Sequence, residues 1–328
     1  MNRSPYNLLV SADASIRPKI GRKSLVMSVS LMVVVAVGGL SPMRRFFFDP
    51  PSQTDQTIDV YRRPSTCALD AREKAVRPTF VASYPGSGAH LTYKLVQGLT
   101  GMVTGADFDA DGRVSAGTAV TIKTHCPAQS CSSCEAVKIE KGINRAILLL
   151  RNPLHSIPSM HSYVYESNHN MKVHSVRAPA EEWIKWRDAK LSNELKRWEK
   201  LVRYWVENYE ATGEERLRLD VLFEKLTSDD PEVGAAESKR IVDFLHEGDD
   251  RVRILTDEGI KCVWETIKED HPALAEHKSL REGPEVRYLF TSDQLREMQE
   301  MLQRLAEWRP EQLGRIMTDY RDVIIEEA

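Results

Sequence analysis

The stretch from Thr79 to Leu99 limits the possible folds more than any other part of the chain. Thr79-Phe80-Val81-Ala82-Ser83 reads as a strand, Tyr84-Pro85-Gly86-Ser87-Gly88 as a tight glycine turn, and Ala89 onward, with Leu91, Leu95, Val96 and Leu99, as a helix. Short β-branched or aromatic runs bounded by Gly and Pro are strand signals, and apolar residues three or four apart mark one helix face. A strand that passes into a helix through glycines gathers backbone N–H groups and the positive helix end around one point, which makes a phosphate site. No Gly-Lys-Ser/Thr closes the loop, so it is not a Walker A loop. Ser87 can serve there as a turn former or as a phosphate contact.

Further strands are expected at Ala119–Thr124, Ala146–Leu150 and Leu217–Leu222, separated by helical stretches. That alternation implies an α/β fold with a central, mostly parallel sheet flanked by helices. Lys123 and His125 lie at the end of the Ala119 strand; Arg151-Asn152-Pro153 follows the Ala146 strand, with Ser159 on the next helix. Open parallel sheets bind ligands at the carboxyl ends of their strands, which places the glycine loop, the Lys/His pair and the Arg/Ser pair at one edge. Trp183, Trp186, Leu191, Leu195, Trp198, Leu201, Val202 and Trp205 fall mainly three or four apart. They read as a helix stripe packed on the sheet, in preference to a sugar-stacking platform.

Forty-five Lys and Arg stand against 48 Asp and Glu, a formal charge of −3 over 328 residues. No global positive field recruits nucleic acid, so an anionic ligand needs local basic groups. Five cysteines (Cys67, Cys126, Cys131, Cys134, Cys262) are too few for a disulfide scaffold. Cys131 and Cys134 have metal-hook or redox spacing, but no second pair completes a zinc site, and a lumenal disulfide is the favoured reading. Asp107-Phe108-Asp109-Ala110-Asp111-Gly112 begins like a calcium loop, yet its twelfth position is Thr118 where the site requires a bidentate Glu. No metal is expected.

Ser24 to Met43 runs 20 residues without a charge, the length of a bilayer-spanning helix. Arg3, Arg17, Lys19, Arg22 and Lys23 precede it and Arg44 and Arg45 follow, so the positive-inside bias leaves residues 1–23 cytosolic. The alternatives are a cleaved signal peptide and a Ser/Arg-rich transit peptide; the long polar start and the lack of an A-x-A cleavage site favour the anchor. Residues 44–78 are polar and Pro-rich and suit a stem, leaving 79–328 as one catalytic domain. Asn2-Arg3-Ser4, a glycosylation sequon, would lie on the cytosolic side and stay unmodified.

The ordered elements Ser83-Tyr84-Pro85-Gly86-Ser87-Gly88, Ile122-Lys123-Thr124-His125 and Ala146-Ile147-Leu148-Leu149-Leu150-Arg151-Asn152-Pro153 resemble the sulfotransferase superfamily across nearly all of 79–328. The resemblance looks closest to the membrane-bound members that carry WSC domains, a domain absent here. Phe223-Glu224-Lys225-Leu226 is similar to the family's Tyr-Glu-Asp-Leu stretch, and Val242-Asp243-Phe244-Leu245 to its following helix. The family's soluble members have Lys where Gly86 stands, hydroxyl residues at Ala89 and His90, and Trp at Leu91. Arg281-Glu282-Gly283 resembles a closing Arg-Lys-Gly segment, with a reversed charge at Glu282.

This resemblance implies a P-loop-kinase-like sulfotransferase fold and a nucleotide sulfate donor, 3′-phosphoadenosine 5′-phosphosulfate. It assigns His125 as general base and Lys123 as the charge at the leaving phosphate or sulfuryl oxygens. Pro85, Gly86, Ser87, Gly88, Ala89 and His90 would hold the 5′-phosphosulfate, Arg151 and Ser159 the 3′-phosphate, with Phe223, Arg281 and Gly283 completing the nucleotide site. An imidazole with the ordinary pKa of about 6.5 suits a general base at lumenal pH. The acceptor would be a hydroxyl of a glycan, glycolipid or protein, met by a Golgi-type, type II membrane enzyme. Two other readings compete: a catalytically silent binding protein on the same fold, and a nucleotide-dependent phosphotransferase, for which the P-loop Lys and a clear Mg²⁺ carboxylate are missing.

Overall fold

The computed structural model describes residues 77–106, 119–127, 143–171, 176–212, 215–270 and 289–327. The apolar run at 24–43, the stem up to residue 76, the 107–112 loop, Cys67, Cys131, Cys134, Arg281 and Gly283 lie outside these residues. No helix among the described residues is long and apolar enough to cross a membrane.

Five strands, β1 (Thr79–Ser83), β2 (Val103–Ala106), β3 (Ala119–Thr124), β4 (Arg145–Leu150) and β5 (Leu217–Leu222), form one parallel sheet in the order β2-β3-β1-β4-β5. Parallel sheets are covered on both faces, which is why β1 and β4 are buried along their whole lengths. Phe80, Ala82, Ala146, Leu148 and Leu150 face one hydrophobic cluster, and Val81, Ile147, Leu149 and Val221 the other. The strand period of two sorts the residues between these clusters.

On the first face pack α2 (Pro153–Asn168), α3 (Ala180–Asn208), α7 (Ser292–Trp308) and α8 (Pro310–Glu327); on the second, α1 (Ala89–Thr100), the short α4 (Phe223–Leu226), α5 (Pro231–Gly248) and α6 (Asp257–Asp270). The tryptophan stripe is the packing face of α3. Trp183, Trp198 and Trp205 are buried, Trp205 donates its indole N–H to the Cys126 carbonyl at 2.8 Å, and its ring lies 5.5 Å from that of Phe80. Cys126 carries a buried, reduced thiol, whereas Cys262 on α6 is disulfide-bonded.

Local chemistry explains the elements that end at the site edge. Asn152 is the N-cap of α2, its side chain accepting from the Leu154 N–H at 3.0 Å, and Pro153 opens the helix where no N–H is needed. The Arg-Asn-Pro segment is therefore a helix start as well as a strand end. β4 begins one residue earlier than the apolar pattern suggests, because Arg145 lays its guanidinium 3.9 Å over the Phe244 ring and donates to the Phe244 carbonyl at 2.6 Å. β2 is a four-residue edge strand whose Val-Thr-Gly-Ala sequence carries no strong strand signal.

Arg218 joins β5 to the end of α3. Its side chain is fully buried, with Nε and Nη2 on the two Asp220 carboxylate oxygens at 2.7 and 3.2 Å. Nη1 donates to the carbonyls of Trp205 (3.5 Å), Val206 (3.3 Å) and Tyr209 at the helix end, where the Trp205 carbonyl also accepts from the Tyr209 N–H at 3.1 Å. A cation there also meets the negative helix end. Removing it strands a carboxylate and several carbonyls, a loss of about 3–5 kcal/mol by comparison with other broken buried pairs. Arg218→Met is therefore expected to lower the urea midpoint by that equivalent, while Arg218→Met with Asp220→Asn recovers part of the loss.

Candidate active site

The register of the three central strands builds the site. Ala82 pairs with Thr124 on one side and Leu148 on the other, so β3, β1 and β4 end nearly level. β1 crosses over toward β2 while β4 crosses toward β5, so the crevice where ligands bind such sheets opens beyond these ends.

At the end of β1 the Ser87 N–H donates to the Tyr84 carbonyl at 3.1 Å, with Pro85 and Gly86 between them and Gly86 at φ +84°. This is a type II turn, for which Pro at the second position and Gly at the third are the favoured residues. A Cβ on Gly86 would lie 2.4 Å from the Ser156 carbonyl oxygen and 2.7 Å from the Met160 nitrogen, so the loop rests on the backbone of α2. Gly88, at φ +88°, is the N-cap of α1, and a Cβ there would enter the Phe223 ring at 2.3 Å. Neither position accepts a side chain without a clash. Tyr84 anchors the loop from behind, its buried hydroxyl donating to Glu194 on α3 at 2.8 Å.

The start of α1 is prepared for an anion. No side chain caps it and no acidic residue occupies its first turn, so the amides of Ala89 and His90 belong to an open positive helix end. His90 is exposed there. The Ser87 hydroxyl is buried and finds no hydrogen-bond partner among the described residues. A buried, unsatisfied hydroxyl costs about 1–3 kcal/mol, so its presence in this loop marks a place for a polar ligand atom.

Arg151 crosses the crevice from β4. Its Nη1 donates to the Gly86 carbonyl at 2.6 Å, and its guanidinium lies 4.3 Å over the Phe223 ring. Phe223 thus touches the Gly88 turn and carries Arg151 on its face. Ser159 is half-buried on α2, three residues after Ser156 and next to Met160, the two residues that support Gly86. The structure therefore brings Gly86, Gly88, Arg151 and Phe223 together, with Pro85, Ser87 and Ala89 in the same turn and helix start and Ser159 on the neighbouring α2.

His125 follows the last residue of β3, and its Nδ1 lies 2.8 Å from the Ser83 carbonyl oxygen. A carbonyl only accepts, so Nδ1 carries the proton and Nε2 is the basic nitrogen. The Ser83 hydroxyl oxygen lies 3.4 Å from the same nitrogen. Burial is the largest influence on the ring and the Lys123 ammonium the second; together they outweigh the Ser83 carbonyl and lower the pKa to about 3. This corrects the ordinary value near 6.5 used for the sequence: the imidazole is neutral throughout the physiological range, and its neutrality is imposed by the site. Lys123 itself is half-buried.

The residues that sequence reasoning missed, Ser83, Glu194, Glu224 and Tyr320, act on the site through contacts between segments 42 to 168 positions apart. Of these only Ser83 and Glu224 fell within a recognisable motif. Among the described residues no group of three or more His, Cys, Asp or Glu side chains could hold a metal ion.

No family model matches the chain, and no curated protein matches it. Among solved structures, mouse sulfotransferase SULT7A1 complexed with PAP is similar at a TM-score of 0.46 and 15% identity, over 77% of this chain and 91% of that one.

The depressed pKa of His125 ties stability to pH. The unfolded chain takes up the proton below about 6.5 and the folded chain only near 3, so stability held above 6.5 is lost as pH falls through that window. A His125→Gln variant lacks this dependence. The stability difference between wild type and His125→Gln, followed by urea unfolding from pH 7 to 4, is expected to shrink by up to about 1.4 kcal/mol per pH unit.

Proposed function

We propose that this chain is a sulfotransferase that moves a sulfuryl group from 3′-phosphoadenosine 5′-phosphosulfate to an acceptor hydroxyl. The observation that carries this reading is the level ending of β3, β1 and β4, which groups an anion-ready glycine loop, a guanidinium and a neutral imidazole in one crevice. Their order along the chain is the order of the sulfotransferase motifs.

The donor fits the residues present. Ser87 offers an unsatisfied hydroxyl and α1 an uncapped start for the 5′-phosphosulfate, while Arg151, with Ser159 nearby, takes the 3′-phosphate through its planar fork. When bound, the nucleotide supplies the sulfuryl group and departs with the electron pair of the broken sulfur–oxygen bond. His125 Nε2 takes the proton of the acceptor hydroxyl as that oxygen bonds to sulfur. The Ser83 carbonyl then stabilises the imidazolium through Nδ1–H, as an orienting acceptor does for other catalytic histidines. Lys123 supplies the positive charge that Gly86 cannot, stabilising the departing oxygen, and by proximity keeps His125 unprotonated beforehand.

The acceptor is a hydroxyl of a glycan, glycolipid or protein in the secretory lumen, and the enzyme is a type II, Golgi-type membrane protein anchored by residues 24–43 with a stem at 44–78. The uncharged run at 24–43 and the basic residues before it support the anchor, and the disulfide at Cys262 fits an oxidising compartment.

Calorimetric titration with 3′-phosphoadenosine 5′-phosphate is expected to show saturable binding, which its absence would refute. Gly86→Lys, although it restores the familiar loop charge, is expected to weaken this binding, because φ +84° and the α2 backbone leave no room for a side chain. His125→Ala is expected to bind the nucleotide normally and lose about 10²–10⁴ in transfer rate. Unchanged transfer would remove His125 from the mechanism.

A further inference from the structure

Arg151 and Glu224 bring opposite charges to the same corner of the crevice, yet only the arginine can serve an anionic ligand. Glu224 immediately follows Phe223, the residue whose ring carries the guanidinium at 4.3 Å. An acidic group so placed opposes phosphate binding in two ways, by repelling the anion and by competing with it for the cation.

The structure gives this carboxylate other partners. Oε1 accepts from the backbone N–H of Asn152 at 2.9 Å, and Oε2 accepts from the hydroxyl of Tyr320 at 3.0 Å. Tyr320 is buried on α8, and its own carbonyl accepts from Asn152 Nδ2 at 3.0 Å. Asn152 in turn caps α2. A closed circuit of hydrogen bonds thus links Asn152, Glu224 and Tyr320 directly beside Arg151. The Tyr320 hydroxyl feels both charges: burial, then Glu224, push its pKa well up, while Arg151 pulls it down. It is therefore a neutral donor lying within reach of both fields.

We propose that Tyr320 is a positioning residue for the nucleotide site: its hydroxyl holds the Glu224 carboxylate on Asn152 and keeps it from competing with a 3′-phosphate for Arg151. The C-terminal helix then contributes to donor recognition without touching the donor. The inference rests on the sulfotransferase reading through the role of Arg151.

Two ligands separate the inference from its foundation. On the full-length chain, affinities for 3′-phosphoadenosine 5′-phosphate and for adenosine 5′-monophosphate are measured by calorimetry for wild type, Tyr320→Phe, Glu224→Gln and the double variant. Wild type is expected to prefer the bisphosphate. Tyr320→Phe is expected to lose about tenfold for the bisphosphate, the worth of one charge-assisted hydrogen bond, with the monophosphate unchanged. Adding Glu224→Gln is expected to restore the preference, which a merely structural role for the tyrosine would not allow. A wild type without the preference overturns the donor assignment itself. A preference retained in Tyr320→Phe, or lost there and not restored by Glu224→Gln, overturns the role of Tyr320 alone.

Discussion

Parallel pairing of β3 and β4 to either side of β1 is the constraint on which the rest of the site depends. The pairing of Ala82 with both Thr124 and Leu148 sets the three strand ends at one height. A one-residue slip of β3 would move His125 away from the Ser83 carbonyl and would turn its apolar residues to the opposite face. The buried residues of β1 and β4, divided between two clusters, make such a slip expensive, since each buried aliphatic side chain is worth about 1.5–3 kcal/mol. Ordinary core packing thereby sets the geometry of the crevice.

The electrostatic arrangement follows from the same compactness. Two glycines at positive φ let the loop lie against α2 and Phe223, and Arg151 closes over it by donating to the Gly86 carbonyl. With no side chain possible at Gly86, positive charge reaches the crevice from neighbouring strands, through Lys123 and Arg151. The nearby acids are held elsewhere: Glu194 by Tyr84 and Arg197, and Glu224 by Tyr320 and the Asn152 N–H. Burial and the Lys123 charge keep the His125 imidazole neutral.

Much of this was legible in the sequence because it rests on local chemistry. The loop, the start of α1, strands β3 and β5, and the stripe on α3 follow from short-range patterns in Tyr84-Pro85-Gly86-Ser87-Gly88 and in the spacing of tryptophans. The Arg-Asn-Pro segment was readable as a strand end, although its cap function through Asn152 needed the structure. The weak edge strand β2 was not legible, since Val-Thr-Gly-Ala lacks a strand period. The tautomer of His125 depends on a carbonyl 42 residues away and its lowered pKa on burial, and the hold on Asn152 comes from Tyr320, 168 residues away. Contacts at such separations leave no periodic trace in a single chain. Gly86 shows the converse case: a missing lysine reads as a deficit until the backbone of Ser156 and Met160 shows that the turn leaves no room for one.

The central claim is that the crevice holds a neutral histidine whose Nδ1–H donates to the Ser83 carbonyl. Nitrogen-15 resonances of the His125 ring, followed from pH 8 to pH 5, test it most directly. The account predicts a protonated Nδ1 and an unprotonated Nε2 at every pH in that range, with no titration step. A ring that titrates near 6.5, or one that carries its neutral-state proton on Nε2, would contradict it.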